Sequence, residues 1–310
     1  MSAIVLATGA CVHGSNPTEP EPSIGPIPTI DNANQLNLPL DAYDVKKKEY
    51  VSVRRAAWIL TGDCVARFGG TYTLPESVLL DNLPPFELGN SRRYGLIDSK
   101  NAGERGYDLP PSIAPSSTTD STPQESSGKG KGAGGWNPSD AELVLVRGAE
   151  PGKLAPKDAN GKELGRGGCS AEADQILAQG FSSDTTIPQG QMDENLPSRL
   201  AADTFHQAER DSRVVKAMKE WSDCMQRSGY SYKSIWDPNN ENWPEPPAAT
   251  EIATATADVK CKREVNLTGM WFAVEIGYQN RVVAKNSAAL DILLKYHAAQ
   301  ARNAARVAGG

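Results

Sequence analysis

The sequence predicts a mainly α-helical fold in which disulfides tie the helices together, long irregular loops separate them, and a long helical region ends the chain. Apolar residues recur at spacings of three and four in several segments, as on the buried face of a helix. Strand and helix patterns do not alternate, which argues against a Rossmann or other α/β fold. The 28 Gly and 22 Pro among 310 residues favour extensive loops around a modest core.

The first helix is predicted over residues 44–68, with Asp44 as its N-cap and Gly69-Gly70 as its end. Shorter helices are predicted over residues 139–147, 169–179, 198–209 and 212–227. A long helical region is expected to begin at Thr250, its predicted cap, because an apolar stripe runs through the C-terminal part of the chain. Irregular structure is expected over residues 71–109 and 231–249, which are rich in proline.

Four of the five cysteines, Cys64, Cys169, Cys224 and Cys261, lie in the predicted helical part of the chain. In an exported protein an even number of cysteines indicates disulfides, and four allow three connectivities. None belongs to a C-x-x-C pair, so the sequence supports neither a tetrahedral zinc site nor a thioredoxin-type redox motif. We expect two structural disulfides, and we predict no metal or cofactor.

One pattern occurs twice around these cysteines. Residues 63–69 and 223–229 share the order Asp-Cys-apolar-x-Arg-x-Gly, and a tyrosine follows each cysteine by eight residues. Each cysteine would lie on the apolar face of a helix that the glycine ends. If the copies are equivalent, each bonds a different downstream cysteine, Cys64 with Cys169 and Cys224 with Cys261. Chance similarity is the alternative explanation.

The N-terminus resembles a bacterial lipoprotein signal, because a short apolar run ends in Thr8-Gly9-Ala10-Cys11. Signal peptidase accepts small side chains before the cleavage point. Residues 1–11 are therefore interpreted as a lipoprotein signal peptide whose true start lies upstream, with Cys11 as the lipidated residue. The alternative is a cytoplasmic N-terminus with a chance cysteine. No run approaches the roughly 18 apolar residues of a membrane-spanning helix.

Two segments have compositions that are typical of unfolded chain. Residues 12–37 are expected to form an extended tether. Between Pro110 and Gly135, 18 of 26 residues are Pro, Ser, Thr or Gly, which predicts a disordered linker over residues 110–138. The remainder, residues 38–308, is expected to be a single mainly helical domain that this linker interrupts.

Several short runs of the sequence carry a family resemblance. They are Leu38–Tyr43, the helices around Cys64 and Cys224, Arg93-Tyr94-Gly95, Gly167-Gly168-Cys169 and Val259–Lys262. Together they resemble an uncharacterised family of predicted secreted lipoproteins from actinobacteria of the Streptomyces type, over residues 38–300 apart from the linker. The resemblance implies a lipoprotein without an assigned activity, and some relatives lie beside genes for cell-envelope transport.

Side chains typical of catalysis are sparse. Of the three histidines, His13 lies in the expected tether, and His206 and His297, on predicted helices, are interpreted as ordinary surface or packing residues. The best candidate for a binding surface is segment 230–243, because aromatic rings beside amides and carboxylates stack on sugars or hold peptides. Its members are Tyr230, Tyr232, Trp236, Asp237, Asn239 and Trp243. We favour the alternative that both tryptophans cover a small core.

These observations predict a non-enzymatic lipoprotein on the outer face of the cell membrane, with a binding or accessory role in the envelope. The expected partners are the membrane, through the lipid anchor, and an envelope protein or a glycan. A net charge of −6 disfavours nucleic acid. The alternative is an extracytoplasmic hydrolase whose site assembles only in three dimensions, for example from Asp63 or Asp223 near Glu220. The missing α/β pattern disfavours the solute-binding protein of a transporter.

Overall fold

A helix of 42 residues, Leu267–Ala308, is the element on which most of the other helices pack. The structure is a computed structural model, and it describes residues 19–72, 89–109, 138–181 and 192–309. Within these ranges no β-strand forms, and one isolated antiparallel bridge joins Lys157 and Glu163. The predicted mainly α-helical class is therefore confirmed.

Nine α-helices lie in the described ranges, and two 3-10 turns, Ala33–Gln35 and Pro39–Tyr43, precede them. In chain order they are α1 (Lys47–Arg67), α2 (Ser99–Arg105), α3 (Asp140–Arg147), α4 (Gly168–Leu177), α5 (Leu196–Glu209), α6 (Ser212–Arg227), α7 (Trp236–Asn239), α8 (Ala249–Glu264) and α9 (Leu267–Ala308). None of these helices combines the length and the apolar content that crossing a membrane requires. The predicted signal peptide, residues 12–18 of the tether, and residues 110–137 of the linker lie outside the described residues.

Both predicted helix caps are wrong. The α1 helix begins at Lys47, because Asp44 instead ends the preceding turn Pro39–Tyr43 as its C-cap. That turn forms because Pro39 pre-sets the backbone and Asp41 accepts a 2.8 Å hydrogen bond from the Leu38 amide. At the other end of the chain, α8 begins at Ala249, so Thr250 lies inside the helix.

The helix α2 is absent from the prediction, which treated residues 71–109 as irregular. Its seven residues are too few to display an apolar period. Asp98 begins the helix by accepting a 2.7 Å hydrogen bond from the Asn101 amide, and Gly106, at φ 59°, ends it. The sequence feature that could have predicted this helix is its capping residue Asp98, because no apolar repeat is present.

The apolar core surrounds the N-terminal half of α9. Trp271 and Val274 are completely buried there and pack in one cluster with Trp221 and Met225 of α6. Toward the C-terminal half, Ala304 packs against Ala56 of α1 and Leu177 of α4. One long helix therefore supports two groups of helices, α6 with α8 and α1 with α4.

Each of these two groups contains one disulfide. Cys64 of α1 bonds Cys169 of α4 across 105 residues, and Cys224 of α6 bonds Cys261 of α8 across 37 residues. The pairing predicted from the repeated pattern is confirmed. In the chain-entropy model the longer loop stabilises the fold by about 4–5 kcal/mol and the shorter by about 4 kcal/mol.

The two disulfide-linked helix pairs also share their surrounding geometry. Arg67 donates to Glu172 at 2.8 Å, and Arg227 donates to Glu264 at 2.9 Å. Each glutamate follows the downstream cysteine by three residues, and its carboxylate lies 3.7 Å from the upstream sulfur. Both arginines are substantially exposed, so each ion pair contributes at most about 1 kcal/mol. The repeated pattern therefore encodes a repeated helix pair, held mainly by its disulfide.

The structure differs from the expected tether over residues 19–37, which lie against the domain. Ile30 and Leu36 are buried in the main apolar cluster, and Glu21 accepts hydrogen bonds from the Ser212 amide and hydroxyl at 2.7 and 2.8 Å. A Cβ at Gly269 would overlap the carbonyl oxygen of Pro28. We call residues 19–37 the strap. The composition of the strap is typical of unfolded chain, but its apolar residues Ile30 and Leu36 pack in the main core cluster, which also contains residues of α9.

We predict that Gly269→Ala destabilises the protein by about 1–3 kcal/mol, because the added methyl group overpacks the contact between α9 and the strap. At most helical positions this exchange stabilises by about 1 kcal/mol. Gly103→Ala in α2 is the matched control, since a Cβ there meets no atom. Urea unfolding of both variants makes the comparison, and equal or increased stability of Gly269→Ala would contradict the docked strap.

Candidate functional site

The tryptophans of segment 230–243 face the protein interior. The Trp236 indole donates to Glu209 at 3.1 Å and packs beside Phe205 and Trp271 of the main core, with ring centroids 6.3 and 6.4 Å away. The Trp243 indole donates to the Pro238 carbonyl at 2.8 Å and stacks on Tyr107 at 6.0 Å. These contacts give both rings an intramolecular structural role.

The remaining candidates in this segment are also engaged locally. The rings of Tyr230 and Tyr232 stack at 6.3 Å, and the Tyr232 hydroxyl donates to Glu241 at 2.7 Å. Asp237 accepts hydrogen bonds from two backbone amides, those of Lys233 and Ser234. Asn239 donates to its neighbour Asn240. The predicted surface is thus a folded loop stabilised by its own polar groups.

The carboxylates proposed for a hydrolase lie on two helices, Glu220 and Asp223 on α6 and Asp63 on α1. Asp223 pairs with Lys219 and Glu220 pairs with Lys216, each four residues apart on the exposed side of α6. Asp63 lies on α1, in the wall of a different cavity of about 390 Å³ beside Trp58 and Tyr72. Glu220 and Asp223 are thus each paired with a lysine, and Asp63 lies on another helix.

A larger cavity, of about 640 Å³, opens between four elements of the fold. Its walls come from the end of the turn Pro39–Tyr43, the first turns of α1, the start of α5, and α9 near His297. Apolar and aromatic side chains form part of the wall: Tyr43, Val45, Tyr50, Val53 and Pro197. We call it the α1–α9 cavity. Its volume lies in the range of about 300–1,000 Å³ that small-molecule sites occupy.

Three carboxylates, Asp44, Glu49 and Glu194, line the α1–α9 cavity. Within the described residues their side chains form no close ion pair, although the positive charges of Lys46 and Arg93 act on Asp44 and lower its pKa in part. Asp44 and Glu194 are exposed, yet partial desolvation by the surrounding protein raises the pKa of both carboxyls. The negative charges of Asp41 and Asp174 raise the pKa of Asp44 and of Glu194 further. The charged forms of these two carboxyls are therefore less favoured than in a free side chain.

The basic groups of this cavity are of two kinds. The Arg54 guanidinium lies over the Tyr50 ring, 5.6 Å from its centroid, and donates to the Tyr50 hydroxyl at 3.2 Å. Burial lowers the pKa of His297, which keeps its imidazole neutral at pH 7. With three carboxylates and one guanidinium, the lining of the cavity is net negative.

Sequence reasoning missed this cavity, although it noted two of its residues for other reasons. Asp44 was expected to cap a helix and His297 to be a surface or packing residue, while Glu194 carried no signal. The lining residues span positions 43 to 300, and only packing on α9 brings them together. Elsewhere in the described ranges, as here, no three His, Cys, Asp or Glu side chains are placed to hold a metal ion.

Comparison of the chain with protein-family models, with curated proteins and with solved structures finds no match.

We predict that Trp243→Ala destabilises the protein by about 2–3 kcal/mol, because it removes the stack on Tyr107 and leaves a void at a half-buried position. Loss of a ring that served only as an exposed binding platform would change stability by less than about 0.5 kcal/mol. Leu154→Ala is the control, since Leu154 is 98% exposed. Chemical denaturation measures the free energy of unfolding of each variant. A Trp243→Ala variant as stable as the wild type would contradict a packing role for Trp243.

Proposed function

We propose that this chain is a non-enzymatic lipoprotein on the outer face of the cell membrane, anchored through Cys11, whose helical domain binds a ligand or partner in the envelope. The observation that carries the proposal is the pair of disulfides joining α1 to α4 and α6 to α8. Structural disulfides form and persist in oxidising compartments outside the cytoplasm. The resemblance to actinobacterial secreted lipoproteins supports the same location, and a role beside a transport system forms part of the proposal.

The strap determines how far the domain would stand from the membrane. Glu19, at its start, pairs with Lys285 of α9 at 2.9 Å and lies 3.6 Å from Arg281. Glu19 is the eighth residue after Cys11, and a fully extended chain spans at most about 28 Å between them. A lipid on Cys11 would therefore hold the middle of α9 close to the bilayer surface.

The α1–α9 cavity supports binding as the role of the domain. A second candidate, an extracytoplasmic hydrolase, is favoured by the raised pKa values of Asp44 and Glu194, since a general acid must hold a proton. Binding is the better supported function because no hydrogen bond joins the side chains of Ser198 and His297, two described residues that also line the cavity. A nucleophile needs a base within hydrogen-bond reach.

Metabolic labelling with an alkyne-bearing fatty acid tests the anchor in cells that express the gene from its native locus. We expect the label on the wild-type protein in the membrane fraction, because the Cys11 thiol is the acceptor. Cys11→Ser is expected to carry no label while retaining both disulfides. An unlabelled wild type whose four remaining cysteines are free thiols in the cytoplasm would contradict both the anchor and the location.

A further inference from the structure

We propose that a cavity between the strap and α2 binds a small organic acid through its carboxylate. The cavity has a volume of about 360 Å³, and its walls come from the start of the strap's turn Ala33–Gln35, from parts of segment 91–98 and from α2. We call it the strap–α2 cavity. The inference rests on the proposed binding function and names a class of ligand for it. It is carried by two arginines without a carboxylate partner and by a buried hydroxyl without a hydrogen bond.

The two arginines stand out against the other arginines that pack into the fold. Five arginines of the described residues are partly buried. Three of them pair with carboxylates: Arg93 with Glu275, Arg213 with Asp211, and Arg281 with Glu19. Within the described residues the other two, Arg92 and Arg105, form no close ion pair, and both line the strap–α2 cavity. An anion in this cavity would supply the missing counter-charge.

The guanidinium of Arg92 has only part of its hydrogen-bonding capacity filled. Its Nη2 donates to the Asp108 carbonyl at 2.8 Å, whereas its Nη1 is buried and has no hydrogen-bond partner. Burial lowers the pKa of Arg92, although the negative charges of Asp108, Asp258 and Asp98 raise it in part. Because an arginine stays protonated at pH 7, the wall of the cavity holds a positive charge that has lost part of its hydration.

The neighbouring Ser91 supplies a second unpaired group. Its hydroxyl oxygen is also buried without a hydrogen-bond partner, and such a group destabilises the fold that contains it. The side chains of Ser91 and Arg92 are partly exposed and line the cavity. Rotation of each side chain between its staggered positions brings the hydroxyl and the guanidinium to a molecule bound there.

A carboxylate is the group that matches these donors. A planar guanidinium donates two parallel hydrogen bonds to the two oxygens of a carboxylate, and charge makes both bonds stronger. The Nε of Arg105 donates to the Leu109 carbonyl at 3.2 Å, which orients a second guanidinium in the same lining. With Lys100 the lining has three cations against two carboxylates, those of Asp98 and Glu104. The net charge of the lining is therefore positive.

The rest of the wall favours an organic acid over inorganic phosphate. Ala33 and the largely buried side chains of Leu96 and Ile97 line the cavity beside the cations. Small-molecule sites combine such apolar walls with a few polar groups, in volumes of about 300–1,000 Å³. The apolar wall matches the carbon atoms of an organic acid, whereas a phosphate ion would leave it without a contact.

Isothermal titration of the purified full-length chain, with both disulfides formed, tests the inference. The probes are benzoate, hexanoate and succinate; benzamide is the uncharged isostere of benzoate, and inorganic phosphate is the alternative anion. We expect at least one carboxylate to bind with a one-to-one stoichiometry and at least about tenfold more tightly than benzamide or phosphate. Carboxylates that do not bind, or that bind no more tightly than either comparison compound, would overturn the site.

Three variants test the assigned donors. Arg92→Lys keeps the charge and removes the planar fork, and Arg105→Gln removes a charge, so each is expected to weaken binding about tenfold. Ser91→Ala is expected to weaken binding about fivefold. Its unfolding midpoint should equal or exceed that of the wild type, because the lost hydroxyl has no partner in the free protein. A lower midpoint would reveal such a partner and overturn the assignment of Ser91.

The matched controls are Arg302→Gln and Ser287→Ala, which change exposed residues of α9 outside the cavity. Both are expected to bind the carboxylate as the wild type does. If Arg92→Lys, Arg105→Gln and Ser91→Ala also bind it with wild-type affinity, the carboxylate binds elsewhere and the site is overturned.

This outcome is separate from that of the proposed anchor, because the titration needs no lipid. Failure of the titration with lipid present on Cys11 in cells would remove the ligand class and leave the lipoprotein intact. Binding of a carboxylate by a protein that carries no lipid in cells would have the opposite meaning.

Discussion

The arrangement of the fold depends on one buried carboxylate, that of Glu275 in α9, whose side chain has no exposed area. It accepts hydrogen bonds from Arg93, from the Tyr94 hydroxyl at 2.8 Å, and from Gln279 at 2.9 Å. Arg93 also donates to the Ala201 carbonyl of α5, and Gln279 accepts from the Leu40 amide. An unpaired charge at this depth would cost several kcal/mol. The contacts that prevent this cost fix three distant parts of the chain on one helix: the turn at Leu40, the segment Arg93–Tyr94 and α5.

The same constraint explains why a cavity forms beside α1. The bond from Leu40 to Gln279 holds the turn Pro39–Tyr43 on α9, and Tyr43 and Asp44 end that turn at the cavity rim. On the other side of the core, Asp258 of α8 accepts from Trp221 and Lys262, and Lys262 donates to the Leu96 carbonyl. The disulfides restrict the unfolded chain, whereas these buried polar contacts specify which native arrangement it adopts.

Local patterns in the sequence were sufficient for the longer helices and for the disulfides. The α6 helix was predicted to its last residue, because its apolar stripe is regular and Gly229 follows it with a positive φ of 91°. The strap was missed because its composition is typical of unfolded chain, and its groove depends on Gly269, more than 200 residues away. The Glu275 contacts and the cavity were missed for the same reason. Arg93 and Glu275 are 182 residues apart, and single-sequence periodicity carries no information about such pairs.

A double-mutant cycle on Arg93 and Glu275, measured by urea unfolding, is the most direct test that this ion pair organises the fold. The account predicts that Arg93→Met and Glu275→Met each cost about 3–5 kcal/mol, because each leaves a buried charge without its partner. The double variant should be more stable than the sum of the two losses by at least about 2 kcal/mol. If each single variant lost less than about 1 kcal/mol of unfolding free energy, and the double variant lost the sum of the two, the result would contradict an organising role for this ion pair.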